Sequence, residues 1–350
     1  MITLYAPPSP GTISGGYRYN QRIFGELSQE PVSYRLLESG RLHGALVPRK
    51  ATEDVVLDSL YLFDPKTRCQ LLRPESGVKR AVWLIHLLPH VELEAGGGAG
   101  DAVKELRRAE EALLQSRGII CTSTYTRKLV WAMTPRVPTE VCRPGVDLPD
   151  QTDAPPEQTG RALSGHLRFL TVAPVTALKN LLWLLELLSE LHEPAWEWRI
   201  AGNPHSHSEY GKQFSRVLSR SACSDRITLL GTLTEEELAR EYRSADLLLF
   251  PSLFESYGMA IAEALSYGVP VVANRTGGVV EVTGEGAAAV LCQVNSRQEW
   301  MQAVTRFGRD TTFRIRASQA ARERAVALPR WSETAGHFLR AVTAMHADAD

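Results

Sequence analysis

The chain has 350 residues, a length that fits two domains of ordinary size. Its 44% apolar and 23% charged residues are typical of a globular protein in water, and no apolar run reaches the ~18–20 residues of a membrane span. The formal net charge is -1, which excludes a strong overall positive field and argues against a nucleic-acid partner.

The first half of the chain alternates short apolar runs with helical patterns. Strands are predicted at residues 2–5, 55–57, 81–85 and 118–122, and helices at residues 17–27 and 102–116. This alternation predicts a parallel sheet with helices on both faces. The polar, proline-bearing stretch from 150 to 160 is predicted to be a linker between two domains.

The second half of the chain repeats the alternation more regularly. Strands are predicted at residues 167–173, 197–202, 227–230, 247–250, 269–273 and 288–291. The apolar run from 181 to 191 is broken by two glutamates and is interpreted as a buried helix. A helical run over 311–328 ends before Pro329, and a last helix is predicted over 331–345. Sheets of this kind bind ligands at the carboxyl ends of their strands.

Composition and patterning also bear on location. The five cysteines are scattered without a Cys-x-x-Cys pair and are expected to be reduced thiols. The first eight residues lack the charged leader and long apolar core of a signal peptide. The expected location is therefore the cytoplasm. Contact with lipid at the inner membrane face is the alternative, motivated by four arginines that a solvated helix face would also explain: Arg314, Arg316, Arg322 and Arg324.

The residues after the strand predicted at 247–250 form the most informative segment. Glu255 and Glu263 stand eight positions apart, with Gly258 between them. The pattern predicts a loop that carries Glu255 and a helix that begins near Gly258, with Glu263 about a turn and a half into it. The N–H groups of a helix start can hold a phosphate, and a carboxylate can accept from two neighbouring sugar hydroxyls. One segment therefore offers contacts for both parts of a sugar nucleotide.

This segment resembles the Glu-x7-Glu motif of the retaining glycosyltransferases of glycosyltransferase family 4, which have the GT-B fold. Matching stretches follow in the expected order, at 229–238 before the motif and at 268–273 and 276–281 after it. The ordered set covers residues 172–281, whereas the first half of the chain matches more loosely. The resemblance implies an α/β protein of two facing Rossmann-like domains, each a doubly wound parallel sheet, with a donor cleft between them.

The resemblance also implies a division of the chain. Residues 1–155 would form the N-terminal domain on the acceptor side, and residues 156–330 the C-terminal domain that binds the nucleotide-sugar donor. Residues 331–350 would form a helix that crosses back to the N-terminal domain.

Five residues of the second half are carried over as donor contacts. Glu263 is expected to bind the ribose diol, and Glu255 to lie beside the donor sugar. The backbone N–H groups of Gly258 and Met259 are expected at the diphosphate, together with the ammonium group of Lys179. The alternatives are plain: a satisfied helix carboxylate for Glu263, a helix-capping carboxylate for Glu255, and a surface lysine at a helix start for Lys179.

One position departs from the family pattern. The family usually has an arginine five residues before the phosphate-binding lysine, and this chain has Pro174 there. Either another basic residue substitutes, for which Arg18 and Arg275 are the candidates, or donor binding is weaker, or the site is degraded.

In the first half, His86 ends a predicted strand and resembles the family histidine that reaches the donor sugar near the reacting centre. His90 competes for that role, and a structural histidine is the alternative for both. Gly15 and Gly16 resemble the glycine loop of the family, where the backbone approaches donor phosphate and acceptor. An ordinary strand-to-helix turn is the alternative for the two glycines.

No metal or other cofactor is expected. The nucleotide sugar counts as a co-substrate and not as a cofactor. Metal-dependent transferases usually hold the ion with an Asp-x-Asp loop, and the only such sequence here is the terminal run 348–350. His205 and His207 have no third metal ligand in view and are interpreted as part of a polar loop.

The sequence thus predicts a metal-independent hexosyltransferase. It would move a sugar, with retention, from a nucleotide-diphosphate sugar to an acceptor hydroxyl. A UDP-sugar is favoured and GDP-mannose comes next, while the acceptor can be a glycan, a lipid-linked sugar or a small molecule. The alternative is a catalytically impaired GT-B protein that acts as a sugar-nucleotide-binding or partner subunit. A GT-B epimerase or hydrolase is a third, weaker alternative.

Overall fold

The computed structural model describes residues 1–8, 15–38, 42, 54–149, 166–193 and 195–347. The chain divides into two compact units. The first unit comprises Met1–Gly145 together with Pro329–Asp350, and the second comprises Val146–Leu328. The predicted boundary at 155/156, the predicted linker and the terminal Asp-x-Asp run lie outside the described residues.

The first unit is built on a sheet of six parallel strands, in the order β2-β1-β3-β4-β5-β6. These strands are β1 (Ile2–Ala6), β2 (Val32–Leu36), β3 (Asp54–Asp58), β4 (Val82–Ile85), β5 (Gly118–Cys121) and β6 (Thr139–Val141). The four inner strands are almost wholly buried, as expected of a parallel sheet with helices on both faces. The two edge strands are only partly buried.

The helices of the first unit follow the strands. In chain order they are α1 (Gly15–Glu26), α2 (Pro65–Leu71), α3 (Pro89–Ala95), α4 (Asp101–Leu113) and α5 (Thr124–Met133). The C-terminal helix (Trp331–Ala347) belongs to the same unit and packs on α1, β3 and β5. It approaches β5 closely at Gly118, where a Cβ would lie 2.4 Å from the Sδ of Met345, so a larger residue there would displace the methionine side chain.

The second unit also contains a six-stranded parallel sheet, in the order β12-β11-β10-β7-β8-β9. Its strands are β7 (His166–Val172), β8 (Ala195–Ala201), β9 (Ile227–Gly231), β10 (Leu247–Phe250), β11 (Val271–Asn274) and β12 (Ala289–Cys292). The chain starts at β7, builds outward to β9, and then returns to β10 on the other side of β7. The strand order therefore reverses between β7 and β10, and ligands bind parallel sheets at such a reversal.

Helices cover both faces of this second sheet. In chain order they are α6 (Leu181–Ser189), α7 (Glu209–Arg220), α8 (Glu235–Ser244), α9 (Met259–Ser266), α10 (Val279–Thr283), α11 (Arg297–Arg309) and α12 (Thr311–Val326). Side chains of β10 alternate between two cores. Leu247 and Leu249 pack in one buried cluster, whereas Leu248 and Phe250 pack in the other. This alternation is the period-2 pattern of a strand buried on both faces.

The predicted α/β architecture of two doubly wound parallel sheets is confirmed. The apolar run at 181–191 forms the buried helix α6. Within the described residues, no helix is both long and apolar enough to cross a membrane. Two of the arginines behind the lipid alternative are engaged inside the second unit. Arg314 donates to the carbonyl of Phe307, and Arg324 donates to the carbonyls of residues 281 and 282.

All five cysteines are free thiols, of which Cys69 is exposed and the other four are buried. Burial is the main cause that raises the pKa of Cys142 and of Cys292 to about 12, and it raises the pKa of Cys121 still further. These thiols are therefore held in the neutral form, which is neither the nucleophile nor the metal-binding form.

We expect one thiol equivalent of the native protein to react quickly with a thiol-selective reagent, and this equivalent should disappear in Cys69→Ser. Because the folded state raises the thiol pKa above the unfolded value of about 9, this contribution to stability is complete below pH 9 and is lost as pH rises through the folded values. Urea unfolding should thus show a falling free energy of unfolding above about pH 9. Fast reaction of two or more thiols in the native protein would contradict the assigned burial.

Candidate active site

Two loops of the second unit meet where its strand order reverses. Lys179 ends a short 3-10 turn after β7, and Glu255 lies in the loop after β10. The Nζ of Lys179 donates to Oε2 of Glu255 at 2.6 Å, with 18% and 17% of the two side chains exposed. The same Nζ lies 5.5 Å from the ring centre of Phe250. The two residues predicted at donor sugar and phosphate are therefore brought into direct contact.

The loop that carries Glu255 is held in place by the segment after β11. The backbone N–H of Gly278 donates to the carbonyl of Glu255 at 2.8 Å, and the hydroxyl of Thr276 donates to the carbonyl of Leu253 at 3.0 Å. Gly277 has φ 51°, and a Cβ there would lie 1.9 Å from the carbonyl oxygen of Glu255. This close approach explains physically why the Thr-Gly-Gly sequence stands at 276–278.

A buried asparagine ties the same loop to the core. Asn274 ends β11, and its Nδ2 donates to the carbonyls of Pro251 at 2.7 Å and Ser252 at 3.2 Å. Its Oδ1 accepts from the indole N–H of Trp300 at 2.9 Å. Asn274 and Trp300 are fully buried. Asn274 thus links the start of the Glu255 loop to α11, and sequence reasoning did not find it.

A helix begins directly after Gly258, as the sequence predicted. Gly258 has φ 105°, in the region that favours glycine, and it directly precedes α9 at Met259. No side-chain cap is found at this N-terminus among the described contacts, so Glu255 pairs with Lys179 instead of capping the helix. The described contacts therefore show Glu255 bonded to Lys179 and give no support to the capping alternative.

Glu263 occupies the fifth position of α9. Its Oε2 accepts from the hydroxyl of Tyr242 on α8 at 2.9 Å. The ring of Tyr242 is buried and stacks on that of Tyr267, with ring centres 5.4 Å apart. The carboxylate is therefore oriented by α8, and ribose binding by Glu263 stays a prediction.

Tyr242→Phe should keep the ring packing and remove this hydrogen bond. We expect a loss of about 1 kcal/mol in the free energy of unfolding and a roughly threefold to tenfold weaker nucleotide affinity if Glu263 must be oriented to bind. Urea unfolding and a nucleotide titration measure the two quantities. Tyr210→Phe is the matched control, because it removes the acceptor of the Leu182 N–H elsewhere in the same unit and should spare nucleotide affinity. Unchanged affinity in Tyr242→Phe would separate Glu263 from the ligand.

Pro174 lies in the turn after β7, where the family arginine is missing. Its carbonyl accepts from the N–H of Thr176 at 3.0 Å, and Gly202 packs tightly against the neighbouring Ala173 carbonyl. Arg275 follows β11 with an exposed side chain, and no described contact joins it to the Lys179–Glu255 pair. Arg18, the other proposed substitute, lies on α1 of the first unit. Neither arginine is thus seen beside the pair in the described second unit, where the charge of Lys179 is paired with that of Glu255.

The first unit has a buried polar network where its own strand order reverses. His86 follows β4 and is only 7% exposed. Its Nε2 lies 3.2 Å from Oδ1 of Asn20 and 3.4 Å from Oδ2 of Asp58. Asp58 is fully buried at the end of β3, where its Oδ1 accepts from the N–H of Leu60 at 2.7 Å. Asn20 and Asp58 also bond to each other.

The backbone and the ring of His86 are held as well. The N–H of His86 donates to Oγ of Ser59 at 3.0 Å, and the ring of Tyr19 contacts the imidazole edge-on at 5.2 Å. Gly15 begins α1, and Gly16 packs on the imidazole, where a Cβ would lie 3.0 Å from its Cδ2. The structure thus brings Gly16 and His86 together, although their contact with a donor stays a prediction.

The charge of Asp58 acts on its neighbours. Burial, followed by the negative charge of Asp58, raises the pKa of Tyr17 to about 12. The same two causes raise the pKa values of Tyr34 and Tyr61. Three hydroxyls are therefore held neutral around one buried carboxylate. Sequence reasoning missed Asp58 and Asn20, because a polar residue at a strand end or inside a helix gives no local signal of burial.

His90 has a separate, structural environment. Its Nδ1 lies 2.5 Å from Oε2 of Glu110, and its backbone N–H donates to Oε1 of the same carboxylate at 2.9 Å. Glu110 is fully buried on α4. The structural alternative therefore accounts for His90. In the described part of the chain, no three His, Cys, Asp or Glu side chains form a group that could hold a metal.

Comparison with known proteins bears on the second unit first. Residues 166–310 match the model of the family described as glycosyl transferases group 1. This range contains Lys179, Glu255 and Glu263 but not His86.

The curated relatives named here are all described as D-inositol 3-phosphate glycosyltransferases. The D-inositol 3-phosphate glycosyltransferase of Mycolicibacterium smegmatis is 30% identical over 237 residues, which cover 63% of this chain and 52% of the relative. That of Corynebacterium efficiens is 32% identical over 195 residues, covering 53% and 46%. The chain spans about half the length of the curated relatives it matches.

Solved structures extend the likeness to nearly the whole chain. The sucrose-phosphate synthase of Thermosynechococcus elongatus has a TM-score of 0.80 at 16% identity and covers 99% of each chain. Anabaena HepE in complex with UDP and glucose has a TM-score of 0.77 at 14% identity, covering 98% of this chain and 99% of HepE. These likenesses show the fold. The resemblance to GT-B glycosyltransferases, first seen in the motifs, is thus found in the sequence of residues 166–310 and in the fold of nearly the whole chain.

Proposed function

We propose that this protein is a retaining, metal-independent glycosyltransferase that moves a sugar from a nucleotide-diphosphate sugar to an acceptor hydroxyl. The observation that carries the proposal is the contact of Lys179 with Glu255 at the point where the strand order reverses. The bond to be broken joins a sugar to a diphosphate. The cation would suit the diphosphate, and the carboxylate would suit the hydroxyl groups of the sugar. The family match over residues 166–310 includes both groups.

Each group has a role that its chemistry allows. Negative charge builds on the departing diphosphate, and the ammonium group of Lys179 would stabilise it together with the N–H groups of Gly258 and Met259. Glu255 would accept hydrogen bonds from the donor sugar, and Glu263 from the ribose diol. The diphosphate would compete with Glu255 for Lys179, so donor binding would loosen the 2.6 Å ion pair.

The proposed reaction proceeds on one face of the sugar. The acceptor hydroxyl would attack from the side on which the diphosphate leaves, and the leaving phosphate would take the hydroxyl proton. The anomeric configuration would be retained. His86 and the glycine backbone at 15 and 16 would contribute from the first unit.

A UDP-sugar is the favoured donor, followed by GDP-mannose. This preference draws support from the Anabaena HepE structures, which hold UDP and UDP-glucose. The acceptor would be a glycan, a lipid-linked sugar or a small molecule, and the cytoplasm is the proposed location.

The second candidate function is a sugar-nucleotide-binding or partner subunit without turnover. Pro174, where the family usually has arginine, favours it, since the described second unit pairs the charge of Lys179 with Glu255. The two functions differ in catalysis and share donor binding.

Binding is tested by thermal shift against UDP-, GDP- and ADP-sugars. At about 100 times the dissociation constant a donor adds roughly 2.7 kcal/mol of stability, which corresponds to a shift of roughly 5–10 °C for a unit of this size. We expect a UDP-sugar to give the largest shift, and Lys179→Met to give a smaller shift that is still measurable. Lys212→Met is the matched control, because Lys212 makes an exposed pair with Glu209 in the same unit. No shift with any sugar nucleotide would overturn both candidate functions.

A further inference from the structure

We infer that Asp58, acting through Asn20, holds the ring hydrogen of His86 on Nε2 and so presents Nδ1 as a hydrogen-bond acceptor. The ligand for this acceptor is a hydroxyl group of the donor sugar or of the acceptor, and that last step rests on the proposed function. Asp58 and Asn20 are positioning residues in this scheme.

The ionised carboxylate of Asp58 can only accept hydrogen bonds. Asp58 receives one from the N–H of Leu60 at its Oδ1. At Oδ2 it receives one from Nδ2 of Asn20. The carboxylate therefore fixes the orientation of the Asn20 amide, because the opposite orientation would place the amide oxygen against a negative charge. The amide oxygen of Asn20 must then face the imidazole.

The imidazole has two acceptors on one side. Its Nε2 lies 3.2 Å from the amide oxygen of Asn20 and 3.4 Å from Oδ2 of Asp58. A nitrogen between two acceptors is stable there only if it carries hydrogen. The neutral ring has a single hydrogen, so Nδ1 of His86 has a lone pair. None of the hydrogen bonds recorded among the described residues involves that Nδ1.

The surroundings keep the ring from turning over. Ser59 follows Asp58 directly and accepts from the backbone N–H of His86, so one short segment holds both the backbone and the side chain. A Cβ at Gly16 would lie 3.0 Å from Cδ2 of the imidazole, and the rings of Tyr19 and His86 pack at 71° to each other with their centres 5.2 Å apart. The direction of Nδ1 is thereby set by packing as well as by hydrogen bonds.

This arrangement decides what His86 can do. A neutral ring with hydrogen at Nε2 accepts a hydrogen bond from a hydroxyl at Nδ1 but cannot donate one there. His86 would therefore orient a sugar or acceptor hydroxyl and cannot, in this form, act as a proton donor to the leaving group. A neighbouring histidine has the opposite arrangement, since Nδ1 of His90 faces the carboxylate of Glu110.

The two histidines allow an internal comparison. Long-range 15N–1H correlation spectra of the whole protein at alkaline pH, where imidazole is neutral, report which ring nitrogen carries hydrogen. We expect hydrogen on Nε2 of His86 and on Nδ1 of His90, each with at least a tenfold excess, about 1.4 kcal/mol. His86→Gln and His90→Gln assign the signals by removing them.

Because histidine in water also favours hydrogen on Nε2, a variant must show the dependence on Asp58. In Asp58→Asn, the Leu60 N–H still requires an acceptor and takes the new amide oxygen. The new NH₂ group then faces Asn20 and the imidazole, and the direction of the hydrogen bonds reverses. The hydrogen of His86 should move to Nδ1. Glu110→Gln, the same chemical change beside His90, should leave the His86 signals unmoved.

Hydrogen on Nδ1 of His86 in the wild-type protein would overturn the inference, as would an unchanged tautomer in a folded Asp58→Asn. If Asp58→Asn does not fold, Asn20→Leu replaces it. Oδ2 of Asp58 then remains as an acceptor 3.4 Å from Nε2, so the hydrogen of His86 should stay on Nε2, and hydrogen on Nδ1 in this variant would overturn the inference. The spectra require no donor or acceptor, so they stand or fall independently of the proposed function. If transfer fails but the tautomers are as expected, the proposed function alone is wrong.

Discussion

Replacing Lys179 by methionine should lower the rate of sugar transfer by roughly two to three orders of magnitude, the usual effect of losing one preorganised group at a developing charge. Methionine keeps most of the side-chain volume but removes the cation, which lies 5.5 Å from the centre of the Phe250 ring. The loss should fall mainly on kcat, because charge on the diphosphate is greatest in the transition state. Steady-state kinetics with the best-binding sugar nucleotide measures it.

The partner of this lysine provides a second arm of the same prediction. Glu255→Gln should lower transfer by roughly two orders of magnitude, since an amide cannot stabilise positive charge on the sugar. The effects of the two single variants should not add in the double variant, because the two groups are 2.6 Å apart and act together. Additive effects, or a Lys179→Met enzyme with wild-type kcat, would contradict the assigned roles. Lys212→Met again serves as the control, with unchanged rates expected.

Asn274→Leu should produce the largest loss of stability, about 3–6 kcal/mol in the free energy of unfolding of the second unit. Leucine has a similar volume but cannot bond to the carbonyls of Pro251 and Ser252 or to the indole N–H of Trp300. Each buried group left without its partner costs about 1–3 kcal/mol. Because the bonded carbonyls begin the Glu255 loop, donor affinity should fall as well.

Urea unfolding followed by fluorescence tests this, with donor titration under conditions where the variant stays folded. Asn203→Leu is the matched control. Asn203 follows β8 in the same unit and makes one side-chain bond, to the N–H of His205, so that a cost of about 1 kcal/mol is expected. If the free energy of unfolding of Asn274→Leu lies within about 1 kcal/mol of the wild-type value, the hydrogen bonds of Asn274 do not hold the Glu255 loop.

The sequence was sufficient to predict the inner strands of both sheets and the position of the charged pair. The inner strands are short, continuous apolar runs, so their existence could be predicted from pattern alone. Lys179 and Glu255 follow two of these strands, and parallel strands present their carboxyl ends at one edge. What the sequence could not predict is that the lysine and the carboxylate bond to each other, because that depends on the conformations of two loops.

The edge strands of the first sheet and the buried polar groups were not predicted, and each omission has a physical reason. β2 and β6 are half-exposed and lack the apolar run of an inner strand, so they carry little local signal. Asp58 and Asn274 each end a strand, a position where a polar residue is usually solvated. Their burial follows from which strands and helices lie beside them, and this order is set by contacts distant in sequence.

Product analysis tests the central claim most directly. The protein is incubated with the sugar nucleotide that gives the largest thermal shift and with glycan, lipid-linked and small-molecule acceptors, and the anomeric signals of any product are read by 1H NMR. We expect a glycoside with the anomeric configuration of the donor, formed with a chelator present and lost in Glu255→Gln. A product of inverted configuration, release of free sugar alone, or an unchanged donor that nevertheless binds would contradict it.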